Sequence, residues 1–425
     1  MKNGWTGGQY SLYRAVFGVY LFIHFAALVP WSGELFSNRG VLPADVSPFL
    51  HLFPNILAVS DASVVVTAFI TLGAVASLLF ILGQYDRTAA VVMWYVLACL
   101  SGRNPLIANP SLPFVGWLLL AHAFVPASPY GSWSGRGRAD PRGRWFMPPA
   151  LFAAAWIVMS ISYTYSGVTK LVSPSWVDGS ALARVLNNPL ARPTFVRDFV
   201  LAAPAFALRF ASWGALTLEL TYVLLALSRR ARPWIWVAML TLHLSLMVFI
   251  DFADLSFGMV ILHLFTFDPA WVPGLWSERR DQFFFDGDCR LCHGVVRFIL
   301  AEVRSETPFT FAPLHGETFA AVIVAPKRNV SPDSIAVRTE DGKLLFRSDA
   351  VLYTLRRLGG MWRAIAIAMS AVPRGLRDIG YDLVARIRYR VFGRAKTVCP
   401  LVPADLRSRF QGYTIAPSGT TKESS

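Results

Sequence analysis

In the stretch Phe283-Phe284-Phe285-Asp286-Gly287-Asp288-Cys289-Arg290-Leu291-Cys292-His293, two cysteines stand behind an aromatic run and a histidine follows the second. Three chemistries share this spelling. A redox dithiol needs only the two thiols, spaced so that their sulfurs can be joined and parted. Covalent haem attachment uses Cys289, Cys292 and His293, with a second axial ligand and a largely helical pocket. A zinc site would draw two more ligands from Cys399, His293 or His315. Two buried cysteines without a role are the plain alternative.

The elements around the pair favour the dithiol. Residues 282–285 read as a strand, 286–288 as a turn, and a helix is expected to begin near Cys289. The first sulfur would then sit at a helix N-terminus, where unpaired amides and the macrodipole favour a thiolate. Arg290 adds positive potential, whereas Asp286 and Asp288 oppose it, or relay protons if one is buried. Cys292, one turn further in, becomes the shielded resolving thiol. Further strands are expected at 309–312, 335–338 and 344–347, the last two joined by an Asp341-Gly342 turn. Helices are expected at 350–358, 362–371 and 376–391, broken by Gly359-Gly360 and Pro373. The polar tail, residues 412–425, is expected to be disordered.

Everything before about residue 275 has another texture. The chain of 425 residues is 54% hydrophobic and 16% charged, with a mean hydropathy of +0.46, more apolar than a soluble protein of that length. Nearly charge-free blocks at 11–30, 63–83, 88–100, 112–126, 147–171, 205–228, 234–252 and 256–273 give an expectation of eight membrane spans. The first is long enough to span and lacks a cleavage pattern, so it reads as a retained helix. The formal charge of +14 suits arginine-rich loops and anionic lipid rather than nucleic acid. Arg136, Arg138, Arg142 and Arg144 share one short loop, and Arg229, Arg230 and Arg232 another. The positive-inside rule then places the N-terminus and the C-terminal domain in the cytoplasm of a multi-pass protein of the cell (inner) membrane. Ionisable residues within the spans, namely His24, His122, Lys170, Glu219, His243, Asp251, Asp254 and His263, are costly there and mark candidate functional positions.

Two resemblances refine this reading. FFFDGDCRLC, FTFAPLHG, SIAVRTEDGKLLFRSDAVLYTLRRLGG and VPRGLRDIGYDLVARIRYRVFGR, with Cys399 beyond, resemble the DCC family of thiol-disulfide oxidoreductases over residues 281–411. That resemblance implies a thioredoxin-like α/β fold with Cys289 and Cys292 as the redox pair and Cys399 matching a third family cysteine. SYTYSGVTKLVSPSWVDG, LTLELTY and the pattern from His243 through LSFGM to FTFDPAW resemble the HTTM group, which includes the vitamin K-dependent γ-carboxylase, over residues 1–275. This likeness implies that Lys170 is a base acting on a reduced quinone. In ANPSLPF, however, Pro110 takes the place of the histidine that partners that lysine, which argues against glutamate carboxylation. Trp117, Tyr163, Tyr165 and Trp176 are the aromatics available for a quinone-type pocket.

The expectation is therefore a polytopic α-helical membrane domain followed by a small thioredoxin-like α/β domain. Its cytoplasmic Cys289/Cys292 pair exchanges electrons with a protein thiol, a small disulfide or a membrane quinone, and the dithiol chemistry itself requires no cofactor or metal. The alternatives are a non-catalytic membrane transport or sensor module with a redox switch, and a quinone-dependent enzyme using Lys170 as base.

Overall fold

The computed structural model describes residues 3–412 except 108, 139, 144, 252, 276–279, 304–308, 324–333 and 396–403. Cys399 and almost all of the polar tail lie outside the described residues. Each of the eight apolar blocks forms a helix: α1 (Gly7–Leu28), α2 (Ser63–Leu82), α3 (Asp86–Arg103), α4 (Leu112–His122), α5 (Pro149–Lys170), α6 (Ala205–Leu227), α7 (Arg232–Phe249) and α8 (Ala253–Thr266). Eight spans do not follow from eight helices. Among the described residues, five helices are long and apolar enough to cross a membrane: α1 with its extension to Phe36, α2, α5, α6 and α7. Helix α3 carries Asp86, Arg87 and Arg103. Helices α4 and α8, with 11 and 14 residues, reach only about 17 and 21 Å of the ~30 Å hydrocarbon core.

The bundle has an apolar core, in which a few charged side chains are buried, and an apolar outer surface. Val64, Ile157, Ile161 and Leu224 stand exposed, whereas Arg14 and Arg103 are among the largest fully buried side chains. Arg14 on α1 lies 3.5 Å from Asp86, which also meets His122 at 3.4 Å. The other ring nitrogen of His122 lies 2.6 Å from the Tyr10 hydroxyl. Arg103 reaches Asp61 at 3.0 Å and donates to the Leu42 carbonyl at 2.9 Å. Charges held inside by partners and apolar side chains turned outward suit a bundle whose solvent is lipid.

The second region is built on β1 (Asp281–Phe285), α9 (Arg290–Glu302), β2 (Phe309–Pro313), α10 (Glu317–Val322), β3 (Ala336–Arg338), β4 (Leu344–Phe346), α11 (Arg347–Leu358), α12 (Gly360–Ser370) and α13 (Arg374–Phe392). The strands form one sheet in the order β2-β1-β3-β4, with β1 parallel to β2 and antiparallel to β3, and β3 antiparallel to β4. The β3–β4 turn has Gly342 at φ +82°, where a side chain would be strained. Both faces of β1 are covered, which explains its unbroken aromatic run. Phe283 and Phe285 pack with Val296, Ile299 and both cysteines, while Phe284 packs on the opposite face with Leu314 and Phe319.

One end of the bundle carries this domain. Glu302, at the end of α9 and almost fully buried, accepts from the Thr6 hydroxyl, from the Gly8 amide at 2.8 Å and from Trp362 Nε1 at 2.6 Å. A carboxylate of the α/β domain thus caps the first turn of α1, where free amides and the helix dipole favour an anion. Tyr130 donates to the Gly294 carbonyl at 3.4 Å, and Arg297 to that of Arg138, so the arginine-rich loop lies against the same domain. Gly274 and Gly359 let two backbones close together, since a Cβ on Gly359 would come within 2.5 Å of the Gly274 nitrogen.

Candidate functional site

The local sequence places Cys289 where β1 has ended and α9 has not begun. Cys289 is the N-cap of α9. Its carbonyl accepts the first helical bond from His293 at 3.1 Å, and its amide donates to the Asp286 carbonyl at 3.3 Å. His293 folds back so that its Nε2 donates to the Gly287 carbonyl at 2.7 Å, which ties the turn to the first turn of the helix. Cys292 lies one turn on, inside the first turn of α9. Both are free, and both are buried, Cys289 completely.

Beneath them lies a charged pair. The Asp286 carboxylate accepts from Arg388 Nη2 at 2.8 Å, from the Asp288 amide at 2.9 Å and from the Tyr389 hydroxyl. Burial works against its charge, but the Tyr389 hydroxyl, the Asp288 amide and the Arg388 guanidinium outweigh it and hold the carboxyl below the usual carboxylate range. Asp286 is therefore ionised scaffolding for the turn. For Cys292, burial pushes the thiol well up, the hydrogen bond and charge of Cys289 push the same way, and so does Asp286. Its surroundings therefore favour the protonated form of the Cys292 thiol.

A strap crosses the pair from α13. The Ala395 amide donates to the Asp288 carbonyl at 2.9 Å and the Arg290 amide to that of Gly393 at 3.4 Å, an antiparallel bridge centred on Cys289 and Arg394. This backbone closes over Cys289, while the side chains of Asp288 and Arg290 stay exposed. Among the described residues no three His, Cys, Asp or Glu side chains are placed to hold a metal ion.

Lys170 and His243 belong to a separate place. Lys170 ends α5, whose first residues lie at the docked end, so the 22-residue helix carries it roughly 30 Å away. Its Nζ lies 2.5 Å from both carboxylate oxygens of Glu219 and 4.6 Å above the Trp176 ring. His243 on α7 meets the Tyr163 hydroxyl at 2.8 Å. These side chains line a cavity of about 880 Å³, together with Pro110, Tyr165 and Ser212. Trp117 is not among its lining residues and packs on Phe265 instead. Sequence reasoning missed Arg388, Tyr389 and the strap, and it named Glu219 without its pairing to Lys170. Every one of those contacts joins residues distant in the chain, so spacing alone gave no signal.

A pair of free, buried cysteines seated at a strand-to-helix turn is the arrangement of proteins that exchange thiols and disulfides. Comparison with known proteins agrees: the family model described as DCC1-like thiol-disulfide oxidoreductase matches residues 283–394. The uncharacterized protein YuxK of Bacillus subtilis (strain 168) is 32% identical over 126 residues, 30% of this chain and 90% of that protein. A chloroplastic DCC family protein of Arabidopsis thaliana is 29% identical over 119 residues, 28% of this chain and 69% of that protein. Through this domain the chain belongs to the DCC1-like thiol-disulfide oxidoreductase family. The family model lies entirely beyond the helical bundle. No solved structure matches the chain.

Proposed function

We propose that the chain is an integral membrane thiol-disulfide oxidoreductase of the cell membrane, its dithiol domain docked on the cytoplasmic end of a multi-span bundle. The sheet order, a parallel βαβ unit joined to a hairpin, supports a thioredoxin-like reading of that domain. The observation that carries the function is Cys289 at the α9 N-cap with the buried free thiol of Cys292 one turn further on.

In the reducing direction, the Cys289 thiolate attacks one sulfur of a substrate disulfide. The substrate S–S bond breaks, a mixed disulfide forms, and the leaving sulfur takes up a proton. The Cys292 thiol then gives up its proton and attacks the Cys289 sulfur. This releases the second substrate thiol and leaves a Cys289–Cys292 disulfide, so that two electrons and two protons have passed to the substrate. Asp286, Arg388 and Tyr389 position the turn. Access to Cys289 requires the 393–395 strap to move. The partner is a thiol or disulfide, on a protein or a small molecule. A non-catalytic redox switch would oxidise and reduce without turning over a substrate, so steady-state disulfide reduction by the full chain, abolished in Cys289→Ser, is the test.

The cavity at Lys170 supports a second reading, a membrane quinone as electron partner, because it is large, mostly apolar and carries one ion pair. Lys170 donates to Glu219 there, so action as a base requires Glu219 to hold the proton first. An exchange rate that responds to added quinone in the wild type and not in Lys170→Met would support it, and an identical response in both would refute it.

A further inference from the structure

Helix α13 is amphipathic in the wrong sense for water. Its face toward the domain is polar: Tyr381 accepts from the Ile335 amide at 2.8 Å, Asp378 takes the Ser348 hydroxyl at 2.5 Å, and Arg388 holds Asp286. Its other face is a stripe of Leu376, Ile379, Leu383, Ile387 and Val391, at steps of three and four residues, so they share one side of the helix. All five are exposed, Ile379 at 66% and Leu383 at 57%. Helix α12 continues the surface with exposed Ile367 and Met369, and Val372 and Pro373 join the two helices. Contiguous exposed apolar surface of this kind marks an interaction site.

Three observations say what covers it. First, the hairpin starts at the end of the bundle: the Met361 amide donates to Gln9 at 3.1 Å, the Gly360 amide to the Val272 carbonyl at 2.6 Å, and Met361 packs into the bundle core. The stripe is thereby connected to a bundle whose own outer surface is apolar. Second, exposed Arg386 and Arg390 lie along one margin of the stripe, where guanidinium groups can reach up to phosphates while their stems cover apolar surface. Third, the acidic residues of α13 are turned away and held, Asp378 by Ser348 and Asp382 by Arg347 at 3.6 Å, so no carboxylate opposes an anionic surface.

From these we infer that the α12–α13 hairpin lies in the headgroup region of the bilayer that holds the bundle, its Leu376–Val391 stripe immersed among acyl chains and its arginines at the phosphates. This rests on the membrane reading of the bundle. It has a consequence for the dithiol, because the opposite face of α13 carries Arg388 and Tyr389 against the Cys289–Cys292 turn. The reactive sulfurs then stand about one helix diameter, roughly 10 Å, from the headgroup plane, and the partner must present its disulfide or thiol at the membrane surface.

Site-specific photocrosslinking decides it. The full chain, in nanodiscs of phosphatidylcholine and phosphatidylglycerol, carries a photoreactive residue in turn at Ile379, Leu383, Ile157 and Lys343. Ile157 is exposed on α5, and Lys343 is exposed beside the β3–β4 turn. The expected result is phospholipid adduct at Ile379 and Leu383 within roughly threefold of Ile157, and roughly tenfold or more above Lys343. Adducts to a second copy of the chain, or yields no higher than at Lys343 while Ile157 labels lipid, overturn the inference and leave the membrane reading standing. Failure at Ile157 as well removes both.

Discussion

The two candidate centres solve the same electrostatic problem and put the solution to different uses. At the dithiol, Asp286 and Arg388 form a buried ion pair of 2.8 Å under a strand-to-helix turn. At the far end of the bundle, Lys170 and Glu219 pair at 2.5 Å beside the cavity. The first pair is enclosed by Tyr389, the Asp288 amide and α13, and it holds the turn that bears the sulfurs. The second lines an open space and is itself the most polar feature there. One buried pair thus braces a turn, and the other stands at the wall of a cavity.

Substitutions that separate the two centres sharpen this contrast. The largest expected effect is that of Cys292→Ser, which removes the thiol proposed to resolve the mixed disulfide. Turnover should fall by about 10³-fold or more, and a mixed disulfide at Cys289 should accumulate, visible as an adduct by mass spectrometry. Next is Arg388→Met, which strands the Asp286 carboxylate. Breaking a buried pair costs about 3–5 kcal/mol, read as a lower denaturation midpoint of the α/β domain, while Lys170→Met should leave both that midpoint and disulfide exchange unchanged. Glu302→Gln should cost about 1–2 kcal/mol, seen as earlier proteolysis at the junction of domain and bundle. Acid provides a graded version of the Arg388 test. Because the Asp286 carboxyl is depressed in the fold, its contribution to stability is complete above the unfolded value of about 3.9 and is lost as pH falls through the folded one. Acid titration of the domain should show that loss in the wild type and a smaller one in Asp286→Asn. Least affected is Arg142→Ala, which cuts an exposed contact to Asp405 of 3.0 Å and should cost under about 1 kcal/mol.

Much of the local architecture was legible in the residues. Aromatic residues at 283–285, the Asp-Gly-Asp turn and the Cys-x-x-Cys spacing led to strand, turn and helix in the observed order, and Asp341-Gly342, Gly359-Gly360 and Pro373 fall at the breaks they were read to make. What escaped was contact across the chain. Arg388 and Tyr389 lie on a helix about a hundred residues beyond Asp286, and nothing in their spacing shows which carboxylate they meet. The count of eight spans is met by five helices of sufficient length and apolarity among the described residues, because α3 carries charged residues and α4 and α8 are short, and composition does not tell a protein neighbour from a lipid one. The apolar stripe of α13 was read only as helical periodicity. That its polar side faces inward became visible once Arg388 was seen on Asp286.

The most direct measurement is a thiol-trapping time course on the full chain in a bilayer, taken through oxidant and reductant, beside Cys289→Ser. The account predicts that wild-type Cys289 and Cys292 pass together between two free thiols and one disulfide, and that a substrate disulfide is turned over by the wild type and not by the variant. Wild-type turnover surviving in Cys289→Ser, or two thiols that never join under oxidant, would contradict it.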